Sequence, residues 1–402
     1  MTEYRWAERS DWKAILEAAN HAFAPDEHTG DFDEDSSEES YFPRILPKIY
    51  QNEETAPLHY LAVDEGRVIG MVASFPTTTV VAGERLSVIG IGTVSTVPDR
   101  RSEGNMKRLM NDSLEAAKAR GADYLVLGGQ RQRYENWGFG KAGMNLSHDF
   151  TRANAEHVFG EGADFGFEFR PLDETESGFI EAERRLRESA GIYVVREPRL
   201  EWKALCSMHH KPFVILKDGE FAGTFMMNVK RCKSGRLVID DLRLEEPRLV
   251  LEIANDMLAR RSDVRDLVIA HTAPDAKTFN SLLGGACEET RISNDESIKI
   301  LNYKNTIYAY LKYLVSYRRV ADGSFTASFP NGERLRIGVA GGEAFAESLP
   351  DGAPADVRFS ELGAVNALFG NAAAFTDFGC GLPGAAAGWL PLPFFMYAAD
   401  ET

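Results

Sequence analysis

One order of elements is written twice in this chain, about 150 residues apart, and that repetition limits the available folds more than any other feature. Residues 59–63, the turn Glu65-Gly66 and residues 68–73 read as a β-hairpin. A strand over about 86–97 follows, then a helix over 104–119 with Gly121 in its C-cap region, then a short buried strand at 124–127. The order recurs further on. Residues 212–217, the turn Asp218-Gly219 and residues 222–227 form a second hairpin, and 236–244 a strand. Residues 247–260 form a helix with Leu249, Leu251, Ile253, Ala254 and Met257 at its apolar positions, and 266–270 a strand. A hairpin, strand, helix and strand can bury their apolar faces only as helix on sheet, so the chain is α/β and internally duplicated. At 402 residues it also exceeds what one hydrophobic core sustains.

The copies differ at the turn between strand and helix. In the first, Val97-Pro98-Asp99-Arg100-Arg101-Ser102-Glu103-Gly104-Asn105-Met106 ends a strand and opens a helix. A helix N-terminus leaves its first N–H groups without intrahelical partners, and the helix dipole adds positive potential. A glycine lets an anion approach that backbone, and Arg100 and Arg101 can add charge-assisted hydrogen bonds, which together describe a phosphate site. Glu103 is acidic beside that site and is expected to point to solvent. In the second copy the turn reads Leu244-Glu245-Glu246-Pro247-Arg248, with neither glycine nor paired arginines. The second copy is therefore expected to lack the phosphate site, to pack against the first and to shape a pocket.

Residues 10–23 read as an amphipathic helix, with Ser10 as its N-cap and Trp12, Ile15, Leu16, Ala19 and Phe23 on one face. Residues 24–40 carry eight acidic side chains and read as a loop. The last hundred residues change character. They hold a helix at 308–317, a hairpin about Asn331-Gly332, a strand at 357–360, a helix at 361–369, and the apolar run 389–397, which is expected to dock the C-terminal tail. The balance of 61 acidic against 45 basic residues disfavours nucleic acid and mildly favours a cationic small molecule. No apolar stretch is long enough to span a membrane, and the N-terminus has no apolar signal core, so a cytoplasmic protein is expected. Cys206, Cys232, Cys287 and Cys380 lie far apart and read as small buried hydrophobes; no zinc site or other metal is expected. His209-His210 reads as surface.

Two motifs of the first copy resemble the GNAT superfamily of acetyl-CoA-dependent N-acetyltransferases. The turn 97–104 is similar to that family's Arg/Gln-x-x-Gly-x-Gly/Ala loop, with Arg101 and Gly104 in the first two named positions and Met106 in the third. Tyr134-Glu135-Asn136-Trp137-Gly138-Phe139-Gly140 is similar to its Tyr-x-x-x-Gly-Phe/Tyr ending. The whole layout resembles the Eis-like (enhanced intracellular survival) acetyltransferases. It implies two tandem GNAT-type folds, the second degenerate, followed by a sterol-carrier-protein-like α/β domain. The expected boundaries are 1–150 for the catalytic domain, 151–304 for the degenerate one, and 305–402 for the C-terminal domain.

The resemblance implies direct acetyl transfer from acetyl-CoA to a primary amine of a cationic substrate: an aminoglycoside, a polyamine or a lysine side chain. No Cys or Ser nucleophile motif stands out. The cofactor would rest on Val94, Thr96, Arg100, Arg101, Ser102, Gly104, Asn105 and Met106. Tyr134, a phenol that stays protonated at neutral pH, would be the general acid, and Trp137 and Phe139 core residues. The C-terminal carboxylate of Thr402 would take the amine proton, with Asp400 and Glu401 as alternatives; Asp26 and Glu401 would line the amine pocket. The Eis-like resemblance also implies a homo-oligomer, a trimer or hexamer. A CoA-liganded sensor or scaffold without catalysis, and a lipid carrier using the C-terminal domain, are the rival readings.

Overall fold

The protein was analysed as a computed structural model that describes residues 1–23, 41–376 and 381–401. The described residues form three sheets. The first runs in the order Glu3–Trp6, His59–Asp64, Arg67–Val81, Glu84–Thr96, Tyr124–Leu127, Ser297–Ile300, Gly140–Lys141, with Ile192–Val195 paired to the far end of Arg67–Val81. The second runs Phe167–Pro171, His210–Lys217, Glu220–Asn228, Arg236–Leu244, Asp266–Thr272, Asn145–Thr151, Glu289–Ser293. The third joins Glu343–Ser348, Arg334–Ala340, Gly323–Ser328 and Val357–Arg358.

The expected elements lie where the periodicity puts them. Helix Asn105–Ala119 crosses from Glu84–Thr96 to Tyr124–Leu127 and makes those two strands parallel. Its face of Leu109, Met110, Leu114 and Ala117 packs on Ile69, Val72, Ile89, Ile91 and Leu125. Each large side chain buried there stabilises the fold by roughly 1.5–3 kcal/mol. Helix Val250–Ala259 makes the matching crossover in the second sheet, between Arg236–Leu244 and Asp266–Thr272. In both sheets the strand beyond the parallel pair is antiparallel and comes from elsewhere in the chain: Ser297–Ile300 beside Tyr124–Leu127, and Asn145–Thr151 beside Asp266–Thr272. Sheet membership therefore crosses the expected boundary at 150.

Helix Tyr303–Tyr317, the third sheet and residues 389–397 share one apolar core with the first sheet. Val88, Tyr124, Val126 and Ile298 meet Tyr310, Phe369 and Phe394 there. The apolar run is docked as expected: Trp389, Phe394 and Phe395 are at most 2% exposed. Three expectations need correction. Helix Trp12–Ala22 follows a 3-10 turn over Arg9–Asp11, which the Asp11 carboxylate closes by accepting from the Glu8 N–H at 2.8 Å, so Asp11 and not Ser10 precedes the helix. His210 is buried, because its ring bridges the Ser207 carbonyl and the Asp240 carboxylate, at 2.7 and 2.9 Å. Cys206, Cys232 and Cys287 are free but only half-buried; Cys380 lies outside the described residues.

Candidate functional site

The parallel pair of the first sheet opens into a wedge. Glu84–Thr96 pairs with Tyr124–Leu127 only at Val88, Ile89 and Gly90, opposite Tyr124, Leu125 and Val126. Beyond those residues the two strands part. On its other edge Glu84–Thr96 carries one extra residue between Gly92 and Ser95, which face Ala73 and Met71, and Thr93 takes a φ of 47° there. Such a bulge bends a strand and re-aims the residues beyond it. Val94, Ser95 and Thr96 thus turn toward the start of helix Asn105–Ala119.

At that start lies a cleft of about 700 Å³ that gathers all eight residues expected to hold the cofactor: Val94, Thr96, Arg100, Arg101, Ser102, Gly104, Asn105 and Met106. Gly104 caps the helix at φ 84°, and a Cβ built on it would meet nothing within 4 Å, so the space above the turn is open. The helix's hydrogen-bond ladder starts with the Arg108 N–H on the Gly104 carbonyl, at 3.2 Å. The N–H groups of residues 105–107 precede that ladder and point out of the helix end. Sequence reasoning did not assign Phe23, Arg133 or Trp137 to this cleft, yet all three line it. Trp137, expected in the core, is only half-buried, because its indole N–H reaches out to Asn111 at 2.9 Å.

The two arginines of the turn are not equivalent. Arg100 is held by Asp64 at 2.8 Å and by Glu103 at 2.8 Å, and these carboxylates raise its pKa, Glu103 more than Asp64. Glu103 is exposed, as expected, and pairs there with Arg100 and the Asn105 amide. Arg100 therefore braces the loop, whereas Arg101 is exposed, with its guanidinium 3.5 Å from the Ala22 carbonyl. Asn105 is buried and accepts from the Tyr4 hydroxyl at 2.5 Å, which ties the helix start to the first strand.

Tyr134 is 6% exposed and packs with Trp137 and Phe139, at centroid distances of 6.4 and 6.5 Å. Burial raises its pKa against the opposing pull of Arg133, so the phenol stays protonated at neutral pH. Its ring presses on Gly129, where a Cβ would lie 2.7 Å from it.

A second cleft, of about 410 Å³, reaches the apex of the wedge at Gly90 and Val126 and is lined also by Phe75, Met396 and Asp400. Its charged lining is mixed: Lys48, Arg196 and Arg199 stand with Glu54, Glu197 and Asp400. Asp26 and Thr402 lie outside the described residues. The other two acidic candidates are placed differently from each other. Asp400 is locked to Arg196 at 2.6 Å, within a buried network that includes Arg187, Glu201 and Glu183. Burial opposes its ionisation, but Arg196, with Lys48 and Arg187, outweighs burial and holds its pKa below the ordinary value. Glu401 instead faces His271, 3.4 Å away, and the other ring nitrogen of His271 lies 3.0 Å from Asp240. Burial would lower the His271 pKa, but Asp240 and Glu401 raise it well above its ordinary value, so the ring is an imidazolium at neutral pH.

The comparisons with known proteins agree with this geometry. The model of the acetyltransferase (GNAT) domain matches residues 3–142. The chain carries a GNAT acetyltransferase domain. The stretch matched by that domain holds the wedge, the open turn and Tyr134. The fold extends over the whole chain in solved structures. A GCN5-related N-acetyltransferase from Kribbella flavida is 15% identical with a TM-score of 0.64, covering 100% of this chain and 98% of its own. Eis1 from Mycobacterium abscessus is 15% identical with a TM-score of 0.62, covering 100% of both chains. A GCN5-related N-acetyltransferase from Anabaena variabilis is 16% identical with a TM-score of 0.62, covering 90% of this chain and 88% of its own. These likenesses are of fold. A search of the curated proteins finds no match.

Proposed function

We propose that the protein is an acetyl-CoA-dependent N-acetyltransferase that moves acetyl directly onto a primary amine of a cationic acceptor. The observation that carries this reading is the open, Gly104-capped helix start beside the strand edge 94–96, inside the matched GNAT domain. The residues there fit a pyrophosphate: exposed backbone N–H groups, a turn with space above it, and the cationic Arg101. Acetyl-CoA supplies the thioester carbon that the amine attacks. The N–H groups of 105–107 with Arg101 hold the diphosphate, Arg100 braces the loop, and the edge at Val94 and Thr96 aligns the pantetheine arm. Tyr134 gives its proton to the departing sulfur.

The second sheet, with the same strand order about one parallel pair, is read as a degenerate GNAT-type fold, and residues 305–402 as a sterol-carrier-protein-like domain. The interior a lipid carrier would need is occupied by the buried Phe325, Phe369, Trp389 and Phe394, which weighs against that alternative. Assembly into a trimer or hexamer belongs to the same proposal and is read by light scattering. The central test is an amine panel (aminoglycosides, polyamines, lysine peptides) with acetyl-CoA and a free-thiol readout, run beside calorimetric CoA binding. Amine-dependent thiol release is the expected result. CoA binding without it leaves the sensor reading, and no CoA binding overturns both.

A further inference from the structure

We propose that His271, Asp295 and Glu401 form a binding site for a divalent cation of the zinc class, which clamps the C-terminal tail to the two large sheets. The three side chains come from distant parts of the chain with no metal-ligand spacing, so the sequence does not mark them. His271 lies on strand Asp266–Thr272, Asp295 on the link between Glu289–Ser293 and Ser297–Ile300, and Glu401 on the tail. One ligand atom from each lies within 4.8 Å of the others. His271 Nε2 is 3.4 Å from a Glu401 carboxylate oxygen and 3.9 Å from one of Asp295. Two donors on a tetrahedral zinc, each about 2.0–2.1 Å from it, stand about 3.4 Å apart, so small side-chain movements complete the site. One imidazole nitrogen and two carboxylate oxygens are donors that zinc accepts, with a fourth position left for water.

Two further observations point to a cation. The Asp295 side chain is only 2% exposed, yet its Oδ1 has no hydrogen-bond partner among the described residues. Its Oδ2 accepts from the Met396 N–H at 2.6 Å, and Oδ1 is the oxygen toward His271. Gly143 packs so closely that a Cβ there would lie 2.5 Å from the Asp295 Cβ, which fixes the acid in place. Among the described residues, His271 is the only basic side chain within 4.0 Å of either carboxylate. One imidazole thus faces two acids, and a divalent ion supplies the charge that is missing. The second observation is the support behind the histidine. Its Nδ1 lies 3.0 Å from the buried Asp240, the carboxylate–histidine pairing that orients a ring and leaves Nε2 for a metal. Asp240 is held in turn by His210 and Asn228, each at 2.9 Å. His271 takes a φ of 51° where its strand slips register against Asn145–Thr151, and such a bulge re-aims a side chain. His271 lines a cleft of about 340 Å³, and the Glu401 side chain is 19% exposed, so an ion can enter from solvent. The Asp295 N–H donates to the Ala142 carbonyl at 2.8 Å, next to the first sheet, so an ion here would join the tail to both sheets. It would give Glu401 a role other than lining the amine pocket.

The test titrates zinc by calorimetry into full-length protein stripped with a chelator, beside a cobalt titration read by its visible absorption. Wild type should bind one zinc per chain, and zinc should raise its Tm. Two variants remove a ligand each: Glu401→Gln on the tail, and His271→Asn, since asparagine tolerates the positive φ. Each should weaken zinc binding by roughly tenfold or more, and zinc should then leave its Tm unmoved. If His271→Asn fails to fold, Glu401→Gln decides. A stripped wild type that takes up no zinc overturns the site. So does a zinc affinity within threefold of wild type in both variants, or a cobalt spectrum with a thiolate charge-transfer band, which would place the ion on a cysteine. These readouts do not involve acetyl transfer, so the site stands or falls apart from the proposed activity.

Discussion

In the proposed site Gly104 and Tyr134 would act for opposite reasons, one by lacking a side chain and the other by burying one. At φ 84° an alanine at position 104 is strained, at about 1 kcal/mol, and its methyl group enters the space a phosphate would use. Gly104→Ala should thus lower Tm by a few degrees and weaken CoA binding, both readable in one calorimetric series. Tyr134→Phe keeps the ring packing against Gly129 and Phe139 and removes only the hydroxyl. It should reduce kcat by roughly 10²-fold at unchanged CoA affinity; an equal loss in CoA affinity would make Tyr134 a packing residue. Both positions were legible in the sequence, because turn geometry and helix ends are properties of a few consecutive residues. The difference between Arg100 and Arg101 was not, since it comes from Asp64, more than 30 residues away.

Among the elements, the tail is anchored at several points. The N–H groups of Ala398 and Ala399 donate to the Asp241 carboxylate at 3.1 Å each, Lys48 donates to the Ala399 carbonyl at 2.9 Å, and Asp400 pairs with Arg196. Breaking one partner of a buried pair leaves an uncompensated charge, so Asp400→Asn should cost about 3–5 kcal/mol, measured by denaturant unfolding. Its pH dependence has a definite sign. The folded-state pKa of Asp400 is depressed, so its contribution is complete above the ordinary carboxylate range and is lost as pH falls through the lower folded-state value. Wild type should therefore lose stability on acidification below about pH 4, and Asp400→Asn should lose less. Sequence reasoning foresaw a docked tail from its apolar run, but the carboxylates of Asp400 and Glu401 looked interchangeable there. Their environments separate them: one is held by an arginine, the other faces an imidazolium.

At the scale of the whole molecule, the boundary at 150 read from the sequence cuts across both large sheets. The first sheet takes Ser297–Ile300 from far along the chain, and its core continues into helix Tyr303–Tyr317. A fragment of residues 1–150 would expose the edge of Tyr124–Leu127 and the apolar face around Val88 and Tyr124. It should fail to give a dispersed amide spectrum and should aggregate, as an unpaired hydrophobic edge does; a folded, monomeric fragment would contradict this. Among the described residues no helix is long and apolar enough to cross a membrane.

The sequence by itself determined the α/β class, the repeated order of elements and the glycine-capped turn, because periodicity, caps and turn glycines act over a few residues. Only the tertiary structure decided which distant strand completes each sheet and which arginine Asp64 and Glu103 hold. It also decided which acid of the tail an arginine holds and which faces His271. Strand pairing and the pKa of a buried acid depend on neighbours brought together by folding, and nothing in their own few residues encodes those neighbours.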